Sequence, residues 1–449
     1  MDFVSQIKDA GIVGMGGAGF PTHVKLDTKQ EYFIINAAEC EPLIEVDKFL
    51  CRNHADMIIE GALLIGKHLE AKHIVIALKE KYVEEIKSLE NAIAKKNANI
   101  EIHKMPYFFP AGDEQTMVQQ VTGRIVPERG IPSEVGCVVD NVGTVLYVYL
   151  ASKGKKVSQK LFSIVGEVEK PIIECTPIGT SVRECIEKAK PLIRDYSIII
   201  GGPMMGKYLT TDKEIDEAVV TKTFGNVIVL PKDHYLFTRD KKSIDRIKRE
   251  AKSACIQCKM CSDLCPRRLL GHNIRPHKVM RSLPYMDIIN DNKSFEEVFG
   301  DAQNCVGCNL CEMYSCPMGL SPKRVNDYMK GELRKRNINV ERDLNPKVSK
   351  AVDMRKVPTN RLAARLGLSK YYGKHANDLI YIKPKEVFIP FSQHIGKPAV
   401  CVKKVGDKVK VNELLAKADE GLSTNIHSSV DGKVVEINDI GARISCKGE

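Results

Sequence analysis

The chain has 449 residues, of which 43% are hydrophobic and 28% charged, and its formal net charge is +11. Such values describe a globular protein of about two to four domains, and with no apolar run of roughly 18 residues a membrane-spanning helix is not expected. Residues 1–10 carry Asp2 and Asp9 and lack a long apolar stretch, so they do not read as a signal peptide.

Residues 1–155 read as an α/β domain. A short helix is predicted over 3–11, and 32–35, 73–78 and 100–103 are short β-rich runs. Between the first two runs, Met57, Ile58, Ala62, Leu63 and Ile65 recur at helical spacing, and a second helix is predicted over 83–94. Alternation of strands and helices predicts a mostly parallel sheet. Residues 156–235 change character, with β runs at 161–165, 172–173, 198–200 and 227–230 and one helix near 182–190, a small α+β module. Residues 236–335 are helical and rich in cysteine. Residues 336–385 are basic and punctuated by Pro and Asn, and read as a linker with one helix near 359–366. In residues 386–449, short β runs at 399–402, 414–418 and 432–437 alternate with Gly and Asp turns, which predicts a small β module.

Fifteen cysteines without a secretion signal point to metal or redox chemistry in place of a disulfide framework. Seven of them (Cys40, Cys51, Cys137, Cys175, Cys185, Cys401 and Cys446) are scattered, as buried small hydrophobes would be. The other eight form two tight runs. The first, Cys255-x2-Cys258-x2-Cys261-x3-Cys265-Pro266, has the spacing of a bacterial ferredoxin. The second, Cys305-x2-Cys308-x2-Cys311-x4-Cys316-Pro317, is one residue longer in its last gap. Zinc sites use separated Cys pairs, often with His, so the repeated run selects two 4Fe–4S clusters. The cysteine before Pro typically reaches the other cluster. One cluster is therefore expected on Cys255, Cys258, Cys261 and Cys316, the other on Cys305, Cys308, Cys311 and Cys265. Between positions 232 and 283 stand 14 Lys or Arg against 5 Asp or Glu. Cations there offset an anionic cluster, and no nucleic-acid signature accompanies them, so no nucleic-acid partner is expected.

The loop Gly14-Met15-Gly16-Gly17-Ala18-Gly19-Phe20-Pro21 fits GxGxxG as a pattern. A dinucleotide fingerprint must follow a strand and open a helix; here a predicted helix precedes it and Pro21 follows. Four glycines still let backbone N–H groups approach a phosphate or a flat ring, and a flexible turn is the alternative on these residues alone. Three further segments gather polar groups at strand ends: 36–42, with Asn36, Glu39 and Glu41; 110–114, with Gly112, Asp113 and Glu114; and 141–144, with Asn141 and Thr144. Together with the loop they suggest one nucleotide site beyond the strand ends.

These segments resemble the flavin subunit of respiratory complex I and the RnfC family of the Rnf electron-transport complex. The module with Gly201-Gly202-Pro203-Met204-Met205-Gly206 is similar to the family's SLBB β-grasp domain, and the tail from Gln393 to a barrel-sandwich, lipoyl-like module. The tail's turn Glu420-Gly421-Leu422-Ser423 has no Lys, so lipoylation is not expected. In the RnfC family that module comes first; here it comes last, and this order resembles the PduS-type cobalamin reductase family. The resemblance implies a multidomain α/β fold: a flavin domain, an SLBB module, a ferredoxin-like double-cluster domain and a barrel-sandwich module. It implies FMN near Gly14, Gly16, Gly17, Gly19, Lys25, Asn36, Gly112, Asn141 and Thr144. Phe20, Glu39, Glu41, Asp113 and Glu114 would line the flavin and nicotinamide face, with Glu41 accepting from the adenosine ribose. The implied activity is an oxidoreductase: a hydride from NADH to FMN, then single electrons through the clusters, with no catalytic acid or base. The acceptor would be cobalamin or, as the alternative, ferredoxin or another redox protein. The resemblance also implies a cytoplasmic or microcompartment setting, with a shell protein or an adenosyltransferase as further partners.

Overall fold

A computed structural model describes residues 2–446. Strands β1 (Tyr32–Asn36), β2 (His73–Lys79), β3 (Glu101–Met105) and β4 (Cys137–Asn141) form a parallel sheet in the order β3-β2-β1-β4. The central residues of β1 and β4 are buried, as strands covered on both faces require. Helix Ala55–Leu69 covers one face through Ile58, Ile59, Ala62, Ile65 and Leu69, one apolar stripe. It crosses helix Val142–Ser152 so closely that a Cβ on Gly61 would stand 2.4 Å from the Val145 carbonyl oxygen. The sequence reading places 141–144 at a strand end but assigns no residues to β4 and does not anticipate that second helix. The helix is buried on nearly every side, so its apolar residues draw no stripe.

The second sheet has six strands: β5 (Gln159–Gly166), β6 (Ile172–Pro177), β7 (Tyr196–Ile200), β8 (Lys207–Leu209), β9 (Asn226–Pro231) and β10 (Asp378–Tyr381), in the order β10-β6-β5-β9-β7-β8. β10 comes from the stretch expected to be a linker. That stretch is packed along much of its length: Val357 bridges to Phe109, and Glu128 receives the Asp343 N–H at 3.1 Å. Pro and Asn mark irregular backbone there, which is not the same as a lack of contacts.

Helices Ile244–Ala254, Pro276–Ser282, Asn292–Phe299 and Pro322–Lys335 enclose a third core containing Val279, Leu283, Phe295, Phe299, Val325 and Met329. The tail folds into two small antiparallel sheets. None of the described helices is long and apolar enough to cross a membrane.

One side chain joins three of these bodies. Lys222 is fully buried and donates to the carbonyls of Gly11 (2.7 Å) and Asn425 (2.6 Å), while its own N–H meets the Gln393 side chain. Burial lowers its pKa to about 7 from 10.5. Between those values the unfolded chain holds the extra proton, so this group adds stability as pH rises from about 7. Lys222→Met strands two buried carbonyls, a loss of about 1–3 kcal/mol. Thermal unfolding at pH 7 and pH 9 should show a lower midpoint for the variant, with the larger deficit at pH 9.

Candidate functional site

The glycine loop is a closed turn. Val13 bridges to Pro21, the Gly14 N–H donates to the Phe20 carbonyl at 2.9 Å, and the Met15 N–H donates to Thr144 Oγ1 at 3.0 Å. Among the described residues the N–H groups of Gly16, Gly17 and Ala18 have no protein acceptor. Gly16 lies against Asn141, where a Cβ would meet that side chain at 3.0 Å, whereas a Cβ on Gly17 would meet nothing within 4 Å. A pinned loop with free amide donors beside open space suits a phosphate or a flat ring. Gly19 is needed for a different reason: it has φ +76°, and a Cβ there would press on Thr223 of the neighbouring module.

The other segments meet this loop at the carboxyl ends of β1 and β4. Asn36 donates to the Gly112 carbonyl (2.9 Å) and accepts the Ala38 N–H (3.1 Å), which locks two of the predicted segments together. Asn141 caps helix Val142–Ser152 by accepting the Gly143 N–H and donates to Asp47 at 2.7 Å. Lys25 bonds Glu114 (2.9 Å) and the Val139 carbonyl and lies 3.5 Å from Asp140. Burial opposes its charge, but Asp140 and Glu114 prevail and hold its pKa above the usual lysine value. Phe20 remains partly exposed beside the loop. Glu39 is half-buried and turns back to accept the Glu41 N–H at 2.9 Å; desolvation raises its pKa.

Two of the expected nucleotide contacts are engaged elsewhere. Glu41, assigned to the ribose, instead places its two oxygens on the N–H groups of Met204 (2.8 Å) and Met205 (2.9 Å). Gly202 must be glycine for this, because a Cβ would stand 2.2 Å from the Glu41 carboxyl carbon. Burial pushes that carboxyl up to about 8, against the pull of the two amides. Asp113 caps helix Glu114–Thr122 and grips Arg267 at both oxygens, 2.6 and 2.7 Å. Burial raises its pKa, but Arg267 and Thr116 outweigh it and keep the carboxyl below its ordinary range.

Both displaced carboxylates lead to the cysteines. Arg267 follows Cys265-Pro266, and its charge is felt by Cys308 and Cys265. Met204, held by Glu41, accepts from Asn309 Nδ2 at 3.0 Å, in the loop between Cys308 and Cys311. Cys255, Cys258, Cys261 and Cys316 line one cavity, and burial, then Cys316, Cys255 and Cys258, raise the Cys261 pKa to about 12. Cys265, Cys305, Cys308 and Cys311 form the second group. Burial and then the neighbouring thiols raise the pKa of Cys311. Among the described residues no three His, Cys, Asp or Glu side chains close on a single ion; the thiols of the first group surround a space. Four thiols gathered around one space form a donor set suited to a metal cluster. In the second group Cys265 and Cys311 are buried and Cys305 and Cys308 half-buried, and Arg267 ties it to Asp113 of a flavin-side segment, whereas Cys258 of the first group is exposed.

Sequence reasoning missed Asp47, Asp140 and Arg267. Asp47 stands between Val46 and Lys48 in the chain and Asp140 between Val139 and Asn141, and only folding shows them buried beside Asn141 and Lys25. Arg267, directly after a Cys-Pro pair, carried a signal in its position.

Comparison with known proteins gives a concordant picture. Residues 7–150 match the Nuo51 FMN-binding domain, 254–321 a 4Fe–4S dicluster domain and 367–446 the RnfC barrel sandwich hybrid domain. The chain is 38% identical over 439 residues to the cobalamin reductase PduS of Salmonella typhimurium, covering 97% of this chain and 94% of that protein. The identity to the cobalamin reductase PduS of Citrobacter freundii is 37% over 438 residues, with the same coverage of both chains. A component of the ion-translocating oxidoreductase complex of Erwinia tasmaniensis is 30% identical over 279 residues, 61% of this chain and 33% of that protein. An NAD+-reducing NiFe-hydrogenase crystallised in the H2-reduced state shares the fold, with a TM-score of 0.50 at 19% identity, over 77% of this chain and 69% of that one.

The open space at Gly17 yields a direct test. Gly17→Val has no protein atom to displace, so it should fold with an unchanged thermal midpoint in the flavin-free state, while its bound flavin absorbance falls to a small fraction of the wild-type value. Full flavin occupancy in the variant would remove the loop from the site.

Proposed function

The chain belongs to the family of the cobalamin reductase PduS, and from that premise we propose that it carries electrons from NADH through a flavin and two four-iron clusters to a cobalamin. The observation that carries this reading is the bidentate Asp113–Arg267 pair, which binds a flavin-site segment to the residue two positions after a cluster cysteine. A bound flavin accepts a hydride and releases single electrons, so it links a two-electron donor to one-electron clusters. The chain's own residues supply position and charge. The Gly16–Ala18 amides and Lys25 offer donors and a cation to an anionic cofactor. Thr144, Asn36 and Asn141 fix the loops that present them. Phe20 offers ring surface to the nicotinamide.

The order of the clusters is read from position: the Arg267–Asp113 pair puts one group against the flavin-side segments, and Cys258 puts the other at the surface. The Cys265, Cys305, Cys308 and Cys311 group lies on the flavin side and would receive electrons first; the group with the exposed Cys258 would deliver them outward. The resemblance to the PduS-type family also carries a setting in a bacterial microcompartment, with a shell protein or adenosyltransferase as neighbours.

A second reading, delivery to an acidic redox protein, is favoured by one observation. His277, which lines the cavity of the outer cysteines, feels Lys259, Arg268, Arg281 and Arg275, a cationic surface beside Cys258. Cys258→Ala/Cys308→Ala protein separates the possibilities. It should keep NADH-dependent flavin bleaching and lose reduction of hydroxocobalamin and of ferredoxin. In wild-type protein, ferredoxin reduction should weaken as salt rises, and hydroxocobalamin reduction should change little. Normal cobalamin reduction by the double variant would show that the clusters are not on the route.

A further inference from the structure

At the carboxyl end of β2, on the side of β1 away from β4, lies a cavity of about 460 Å3, a size suited to a small molecule. Lys79, the last residue of β2, lines it and is 1% exposed. Among the described residues its hydrogen-bond partner is the Thr359 hydroxyl at 3.4 Å, and it pairs with no carboxylate. A buried cationic amine with no carboxylate in hydrogen-bonding reach is costly; Glu39 on the same wall acts on its charge but turns back to the Glu41 N–H instead of bonding the amine, and neighbouring cations are taken. Lys48 takes Glu45, Arg52 takes Glu85, and His375 takes Glu45 at 3.0 Å. Lys81 adds a second lysine with no carboxylate partner among the described residues at the rim. Tyr372 lines the same cavity, and its buried hydroxyl has no partner among the described residues. Tyr82 and Tyr107 complete the walls, with the Lys79 amine 5.8 and 4.7 Å from their ring centres.

We propose that this cavity binds the diphosphate of a nucleotide, with Lys79 and Lys81 as its cations and the tyrosines as its apolar walls. Lysine is a natural point charge for phosphate, and aromatic faces accept a base. The cavity reaches Glu39 and Glu41, in the segment that ends at the flavin-side loop. The diphosphate therefore has two sources: the nicotinamide dinucleotide itself, in which case the inference rests on the NADH reading, or a separate nucleotide. In the first case the diphosphate lies here, with the adenosine ribose toward Glu41, the residue expected to accept from it.

Isothermal titration of ADP into the flavin-loaded full chain tests this. Wild-type protein should bind ADP, and Lys79→Met should bind it about tenfold or more weakly, the loss expected on deleting a hydrogen bond to a charged group. Lys81→Glu, at an exposed position that does not endanger folding, should weaken it as well. Competition between ADP and NADH would identify the dinucleotide as the source; binding of both together would identify a separate nucleotide. NADH-dependent flavin bleaching is measured alongside. Its absence with Lys79-dependent ADP binding intact overturns the donor reading and leaves the cavity's role standing. No ADP binding by wild type, or equal binding by wild type and both variants, would overturn the proposal.

Discussion

The redox path depends on holding the flavin-side segments and the cysteine groups in register, and the pair between half-buried Asp113 and buried Arg267 is the constraint that does so. Asp113 starts helix Glu114–Thr122 beside Gly112, and Arg267 is fixed by the Cys265-Pro266 turn. Two parallel hydrogen bonds between a planar guanidinium and a carboxylate set direction as well as distance. Taking such a pair out of water contributes little net stability, while removing one partner leaves an uncompensated charge. Its value lies in geometry: it fixes where one cluster's cysteines stand relative to the flavin-side segments.

The Glu41 contact with Met204 and Met205 adds a second tie of different chemistry. A carboxylate from the flavin domain caps two amides of the β-grasp module, and the same Met204 accepts from Asn309 between two cluster cysteines. Three domains thereby meet at one glycine-rich turn, and Gly202 admits no side chain because Glu41 occupies the space. Phe108, Phe109, Leu264 and Leu310 pack into one apolar core beside these ties. Lys222 ties the tail in the same way, through the Gly11 and Asn425 carbonyls.

How legible this was from sequence varied with how local the cause was. The cysteine runs were readable because cluster ligation imposes its spacing within a dozen residues. Strands β1 and β2 were readable because strands buried on both faces are apolar runs. Helix Val142–Ser152 was not, since a helix buried all round has no periodic stripe. Glu41 shows the harder limit. Its motif marked it as a hydrogen-bond acceptor, and it is one, but that two amides about 160 residues away are its partners is visible only in the tertiary structure. Lys79 is similar: a lysine among charged residues in the chain reads as surface, and only the fold encloses it.

The central claim is the order of the two cysteine groups, inner beside the flavin-side segments and outer at the surface. It is tested most directly by electron paramagnetic resonance on Cys308→Ala protein, which lacks the inner cluster and retains the outer one. Under anaerobic NADH the outer cluster should stay oxidised while dithionite reduces it, because the inner station is missing. Reduction of the outer cluster by NADH at the wild-type rate would contradict the order and the account built on it.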